Sequence, residues 1–345
     1  MVKFERIVGD SGLPLDRRGC NLEGPGHRHG HGQGIAGDLA VAAPAFSQIS
    51  IDPSPIPVVI AVPHSGRAYP EALLENMRHP ASAPLRLEDR YVDLLGIEVA
   101  QRTGASLIMA HAPRAMIDLN RSVGDIDWDM IEAAPNDADA AGYFVGDIAA
   151  PHRIAPRARC GLGLIPRRLP GTGEIWKRRI DRTELDRRIT GVHVPYHNAL
   201  AALLETVRAR WGAALLIDLH SMPPLSTRSA DEPAAEFVIG DRFGAACDAA
   251  LAASMLTYFA EMRRLAAHNR PYAGAYVLDR HARRSAGVNC LQIEIDRRAY
   301  LNAQMTETGA GFEKTAELLT GMVQRMASAV AEMGQTYQRW SAAAE

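Results

Sequence analysis

The sequence has few cysteines, no long apolar run and no excess of charge of one sign. Its four cysteines are scattered among 345 residues and form no CxxC pair. This excludes a disulfide-rich secreted domain and argues against a thiolate metal site. No apolar run approaches the roughly 18 residues needed to cross a bilayer, and the N-terminus lacks the apolar segment of a signal peptide. We therefore expect a soluble, cytoplasmic protein.

The balance of charge bears on the kind of partner. Lysine and arginine number 38 against 40 acidic residues, so the formal net charge is -2. Because the two signs are interspersed, the chain shows no charged patch for nucleic acid or for an anionic membrane surface. A small molecule is the expected partner, and the 47% of hydrophobic residues are enough to form a large core.

Composition divides the chain into a leader and one large domain. Residues 1–50 are rich in Gly and Pro and contain GHRHGHGQG, which predicts a flexible leader, with a metal-scavenging tract as the alternative. Residues 51–345 are expected to form a single catalytic domain. Within it, the Gly- and Pro-rich stretch around 135–182 is an irregular insertion of a length typical of functional lids.

Short apolar strands alternate with amphipathic helices through this domain. Strand-like runs include VVIAV, ASLIMAH, AMIDL, LLIDL, EFVIG and NCLQIEIDR. Helix-like segments include EDRYVDLLGIEVAQRTG, a long stretch before the LLIDL run that is broken near Gly191, and residues 311–340. The alternation predicts an α/β fold with a largely parallel or mixed sheet covered on both faces.

Several polar residues follow or end these strands. His64 comes after VVIAV, His220 after LLIDL, and Glu294 lies within LQIEID. Ligands bind beyond the carboxyl ends of strands in such sheets, and two histidines with a carboxylate can form the open, three-ligand site of a hydrolytic zinc ion. Zinc lowers the pKa of bound water to about 7, so a nearby carboxylate could accept its proton. Each residue alone also fits a purely structural role.

The third metal ligand is open at this level. Asp89 is preferred over Glu88, and a third histidine is a further alternative. Both acids stand at the start of a predicted helix, where they could instead cap it or offset its dipole. Asp93, one helical turn after Asp89, is a candidate hydrogen-bonding partner of the ligands.

A separate pair, Asn120 and Arg121, follows the AMIDL run. A guanidinium matches both oxygens of a carboxylate, and a neighbouring amide can bind the same group. Arg114, at the other end of that run, could reach the reacting carbonyl if its loop turns inward, and a surface ion pair is its structural alternative.

The order of the motifs resembles that of a known family, the N-formylglutamate amidohydrolases. The resemblance covers residues 57–302 and rests on these stretches in order: PHSG, EDRYVD, APRAMIDLNR, PYHNAL, IDLHS, NRPYAGAYVLDRH and LQIEIDRRAYL. The family is related in fold to the zinc-dependent exopeptidases. The resemblance therefore implies a three-layer α/β/α fold with a central mixed, mostly parallel sheet.

The implied activity is hydrolysis of N-formyl-L-glutamate to formate and L-glutamate, a late step of one histidine degradation route. By resemblance, His64, Asp89 and His220 bind one zinc ion, and Glu294 is the carboxylate that activates water. The resemblance also implies that Asn120 and Arg121 bind the substrate carboxylate. Arg114 is then the second catalytic candidate, as a donor to the developing oxyanion.

Two further residues fall in motifs of the family, His197 and Arg280, and are predicted to line the substrate pocket. The chain departs from the family pattern at Leu87-Glu88-Asp89-Arg90 and at Ala273-Gly274-Ala275. A relative acting on a different N-acyl amino acid, or a metal-binding relative without activity, are therefore the alternatives.

Overall fold

A computed structural model of the protein describes residues 27–31, 44–132, 156–226 and 233–344. The chain divides into two compact units, which are described separately. The first unit consists of residues 1–47, 66–88 and 110–196, and the second of residues 48–65, 89–109 and 197–345. The predicted boundaries, a leader to residue 50 and one domain after it, stay a prediction.

The strands range in length from two residues to nine. In chain order they are β1 (His27–His31), β2 (Phe46–Ile51), β3 (Val58–Val62), β4 (Ser106–Ala110), β5 (Ile131–Glu132), β6 (Arg168–Leu169), β7 (Gly173–Glu174), β8 (Ile180–Asp181), β9 (Ala214–Met222), β10 (Phe237–Gly240), β11 (Ala266–His268) and β12 (Val288–Asp296). In the first unit, β5 pairs with β8 and β6 with β7.

From β2 onward, the sheet of the second unit has the order β2-β4-β3-β9-β12-β10-β11. Parallel pairs join β3 to β4, β3 to β9, β9 to β12 and β10 to β11. The pair of β10 and β12 is antiparallel. The prediction of an α/β fold around a mixed, mostly parallel sheet is confirmed.

The helices vary widely in length. They are α1 (Glu71–Glu75), α2 (Ala83–Leu87), α3 (Val92–Thr103), α4 (Pro156–Arg159), α5 (Arg182–Arg188), α6 (Val194–Trp211), α7 (Ala249–Glu261), α8 (Tyr276–His281) and α9 (Phe312–Ala344). A single π-helical turn, Ile189–His193, joins α5 to α6. It lies at Gly191, where the sequence predicts a break in the long helix. No helix in the described part of the chain is both long and apolar enough to cross a membrane.

The core of the second unit lies on one face of its sheet. Alternate residues of the central strands, such as Ile60, Ile217 and Ile293, pack with side chains of α3, α7 and α9 in one buried cluster. Each buried aliphatic side chain contributes about 1.5–3 kcal/mol by leaving water. Strands β9 and β12 are buried along their whole length, so their alternate residues on the opposite face are also shielded from water. Those residues include polar groups, which need partners there.

Two details of the predicted secondary structure are wrong. Residues 115–119, the AMIDL run, form turns and no strand. Their side chains are nevertheless buried, and an apolar run indicates burial more reliably than it indicates a strand. The helix predicted from Glu88 begins only at Val92, so Asp89 and Asp93 are not separated by a turn of helix.

The predicted leader and insertion are described only in part. Within residues 1–50 the structure describes residues 27–31, which form β1, and residues 44–50, which include the beginning of β2; the rest lies outside the described residues. In the predicted insertion, residues 135–155 lie outside the described part. From Pro156 onward the first unit contains α4 and the strands β6, β7 and β8, which begin at Arg168, Gly173 and Ile180.

Candidate metal centre

Parallel strands bring His64 and His220 to the same edge of the second unit's sheet. His64 follows the end of β3 by two residues, and His220 lies in the last third of β9. Because β3 and β9 are parallel neighbours, their carboxyl ends meet. The two imidazole rings lie 4.7 Å apart between centroids, and both are buried.

Asp89 is fixed to this edge by its own backbone. Its amide N–H donates to the carbonyl oxygen of His64 at 2.9 Å, which ties the two residues together across 25 positions of sequence. Tyr91, two residues after Asp89, adopts a left-handed backbone conformation with φ 60° and directly precedes α3. Asp89 does not cap the helix, since the residue at the cap position is Tyr91, so the capping alternative is wrong.

The three side chains form one compact donor set. Nδ1 of His220 lies 3.0 Å from Oδ2 of Asp89, and Nδ1 of His64 lies 3.6 Å from the same oxygen. One ligand atom from each residue lies within 4.8 Å of the other two. Ligand atoms on a tetrahedral zinc ion at 2.0–2.1 Å are about 3.3 Å apart, which lies between the two distances. His64, Asp89 and His220 therefore fit a divalent metal ion, and Asp89 rather than Glu88 completes the set.

The electrostatics of the cluster favour a cation. Burial alone would raise the pKa of Asp89, but hydrogen bonds to His220 and His64 outweigh it and hold the pKa well below its ordinary value of 3.8. Burial would lower the pKa of His220, yet the carboxylates of Asp218 and Asp89, together with the charge of Glu294, raise it well above 6.5. Carboxylates that hold a proton on an imidazole in this way also attract a metal ion, which would replace that proton.

Asp218 was not assigned a role from the sequence, although its spacing carried a signal. Residues two apart on a strand share a face, so Asp218 and His220 point to the same side of β9. Oδ2 of Asp218 lies 2.9 Å from Nε2 of His220. A carboxylate in this position fixes the tautomer of a metal-binding histidine and leaves Nδ1 for the metal.

Glu294 lies beside this pair on the neighbouring strand. In the register of β9 and β12, Glu294 is opposite His220 and Gln292 is opposite Asp218. The amide of Gln292 donates to Oε1 of Glu294 at 2.9 Å, and both side chains are buried. A carboxylate held next to a metal cluster is suited to accept a proton from water.

The predicted catalytic residue Arg114 and the predicted substrate-binding pair Asn120 and Arg121 lie around one buried acid of the first unit, Asp118. Its Oδ2 accepts from Nε of Arg114 at 2.8 Å, and its Oδ1 accepts from the backbone N–H of Asn120 at 2.8 Å. Arg121 is buried and donates to the carbonyl oxygens of Asn120 and Leu162. The structure thus brings Arg114, Asn120 and Arg121 together, and their roles toward a substrate stay predictions.

His197 and Arg280 lie in the second unit, where Tyr276 links them. His197 is fully buried, and its Nδ1 lies 3.0 Å from Nε2 of His281. Its ring also meets the ring of Tyr276 edge to face at 5.2 Å. Arg280 is exposed and donates to the hydroxyl of Tyr276 at 2.8 Å. The sequence did not point to His281 as a partner of His197, because the two are 84 positions apart.

Comparison with known proteins identifies the family. Residues 56–301 match the family model of the N-formylglutamate amidohydrolases. This span contains His64, Asp89, His220 and Glu294. The chain belongs to this family. The family membership predicted from the motifs, and the predicted class of amide hydrolase, are confirmed.

Individual relatives agree with this assignment. N-formylglutamate deformylase of Pseudomonas aeruginosa is 26% identical over 72% of this chain and 84% of its own length. The enzyme of the same name from Pseudomonas putida is 25% identical over 82% of this chain and 96% of its own. The crystal structure of N-formylglutamate amidohydrolase from Ralstonia eutropha superposes with a TM-score of 0.70 at 31% identity, over 84% of this chain and 99% of the other.

Proposed function

We propose that the protein hydrolyses N-formyl-L-glutamate to formate and L-glutamate, using one zinc ion held by His64, Asp89 and His220. The observation that carries the proposal is the buried donor set itself, with Glu294 on the adjacent strand, in a chain of the N-formylglutamate amidohydrolase family. The names of the relatives support the substrate. The products are those of a late step in histidine degradation, and we place the enzyme in the cytoplasm because its cysteines are few and scattered.

When bound, zinc would polarise the amide carbonyl and make water acidic enough to attack it near neutral pH. Glu294 then takes a proton from the attacking water and passes it to the amine nitrogen as the carbon–nitrogen bond breaks. Gln292 holds one oxygen of Glu294, which limits the orientations of the carboxylate. Formate and the free amino acid are the products.

Asn120, Arg121 and Arg114 are proposed to orient the substrate. Asn120 and Arg121 bind its α-carboxylate, so that binding energy places the amide for attack. Arg114 donates to the carbonyl oxygen, on which negative charge develops during attack. Asp118 supports this arrangement, because it holds Nε of Arg114 and the backbone of Asn120 at once.

Arg280 and His197 are proposed as further substrate-binding residues. Arg280 has the charge needed for the side-chain carboxylate of glutamate, and its exposure leaves it accessible to a solute. His197 lines the pocket from a buried position fixed by His281 and Tyr276.

The test is the release of formate from N-formyl-L-glutamate by purified protein. Turnover should disappear when the metal is removed by a chelator and should return when zinc is added back. N-formyl-L-alanine, which lacks the side-chain carboxylate, should be hydrolysed more slowly at low concentration. Protein that carries zinc but releases no formate from N-formyl-L-glutamate would contradict the proposed substrate, and N-acetyl and N-succinyl amino acids would then be assayed.

A further inference from the structure

The two oxygens of Asp89 have different surroundings. Oδ2 lies between the imidazoles of His220 and His64. Oδ1 accepts a hydrogen bond from the hydroxyl of Ser221 at 3.1 Å and lies 3.6 Å from Nη2 of Arg297. The carboxylate therefore presents one oxygen to the donor set and the other to a hydroxyl and a guanidinium.

Ser221 and Arg297 are themselves connected. Nε of Arg297 donates to Oγ of Ser221 at 3.2 Å, so the Ser221 hydroxyl accepts one hydrogen bond and donates another to Oδ1 of Asp89. Ser221 lies on β9 directly after His220, and Arg297 follows directly after the end of β12. Asp89, by contrast, is held by its backbone to His64. The contacts thus connect three separate segments of the second unit at one carboxylate.

Carboxylates bind divalent ions through one oxygen or through both. A carboxylate oxygen that accepts a hydrogen bond from a hydroxyl, beside a guanidinium, is already stabilised by these two groups. Turning the carboxylate so that this oxygen also binds a metal would break that hydrogen bond. We propose that Ser221 and Arg297 are positioning residues that fix Asp89 as a one-oxygen metal ligand. This inference rests on the proposed metal site.

A merely structural brace would change the stability of the protein and leave the metal unaffected. Hydrogen-bonding partners of metal ligands typically account for a factor of 10–100 in metal affinity. The number of ligand atoms is a second distinguishing property, because a released carboxylate can turn and bind through both oxygens. The visible spectrum of bound cobalt(II) reports the number of ligand atoms, because its absorption is intense with four ligands and weak with five or six.

The experiment compares Ser221→Ala and Arg297→Met with the wild-type full chain. The matched control is Arg298→Met, because Arg298 follows Arg297 directly but pairs with Asp296, away from the cluster. Each protein is stripped of metal, its melting temperature is measured, and zinc affinity is determined by competition with a chromophoric chelator. Cobalt(II) spectra are then recorded on the same proteins.

We expect the zinc dissociation constant to rise about 10–100-fold in Ser221→Ala and Arg297→Met, with a weaker cobalt(II) absorption. Arg298→Met should match the wild type in both. Wild-type affinity and an unchanged cobalt spectrum in a folded Ser221→Ala protein would overturn the inference. That variant removes one hydroxyl only, so it decides the matter even if Arg297→Met does not fold.

The proposed function can fail separately. Wild-type protein that binds zinc tightly but hydrolyses no N-formyl amino acid would contradict the proposed activity, and the affinities of the variants would still decide the roles of Ser221 and Arg297. Wild-type protein that binds neither zinc nor cobalt would overturn both proposals.

Discussion

Replacing Asp218 with alanine tests how His220 is held in the candidate metal site. Asp218 is buried, and its Oδ2 is 2.9 Å from Nε2 of His220. The replacement removes the group that fixes the tautomer and the orientation of this imidazole. Loss of such a partner lowers metal affinity about 10–100-fold, which corresponds to about 1.4–2.7 kcal/mol of binding free energy.

A second variant, Asp218→Asn, should have an intermediate zinc affinity. In Asp218→Asn the amide oxygen can still accept from Nε2, but the hydrogen bond loses the negative charge that roughly doubles its strength. Its zinc affinity should therefore lie between those of the wild type and Asp218→Ala. The assay is competition with a chromophoric chelator at fixed pH, accompanied by a thermal melt of the metal-free protein.

Asp241 offers the matched control, since it is also a buried acid of this sheet region and directly follows β10. It pairs with Asn269 and His268 and lies outside the donor set. Asp241→Ala should lower the melting temperature and leave zinc affinity unchanged. A folded Asp218→Ala protein with wild-type zinc affinity would refute the reasoning about His220.

Three other outcomes follow from the same structure. Glu294→Gln should retain zinc and lower the rate of formate release by about 10²–10⁴-fold; a rate near that of the wild type would remove Glu294 as the proton acceptor. Arg280→Gln should raise KM for N-formyl-L-glutamate and leave KM for N-formyl-L-alanine unchanged, whereas equal effects on both substrates would contradict its pairing with the side-chain carboxylate. Burial raises the pKa of Asp241, but hydrogen bonds from Asn269 and from the backbone of Gly244, with His268, lower it below its ordinary 3.8. The ionised Asp241 therefore stabilises the folded protein fully above about pH 4, and this contribution is lost as the pH falls further. Asp241→Asn should accordingly make the free energy of unfolding less dependent on pH in that range. An unchanged pH dependence would contradict this.

The sequence predicts two of the candidate metal ligands because their positions depend on strand topology. His64 and His220 stand at the carboxyl ends of apolar runs, and parallel pairing of those runs brings them together. Glu294 is predicted to lie beside His220 for the same reason, which the strand register confirms, and its catalytic role stays a prediction. Asp89 lies with both histidines although the helix predicted from Glu88 is wrong, because a backbone hydrogen bond to His64 holds it there.

The groups that support these ligands were harder to predict. Ser221 and Arg297 contact Asp89 from positions 132 and 208 residues away along the chain, and no local pattern records such a contact. The strand predicted for the AMIDL run is wrong for another reason. An apolar pentapeptide is compatible with a buried turn as well as with a strand.

The most direct test of the metal-dependent mechanism is a titration of metal-free protein with zinc, with formate release from N-formyl-L-glutamate followed at each addition. Turnover is expected to rise in proportion to zinc and to stop rising at one equivalent, and His220→Ala is expected neither to retain zinc nor to gain activity. Full turnover in protein shown to contain no metal, or a His220→Ala protein with a full equivalent of zinc, would contradict it.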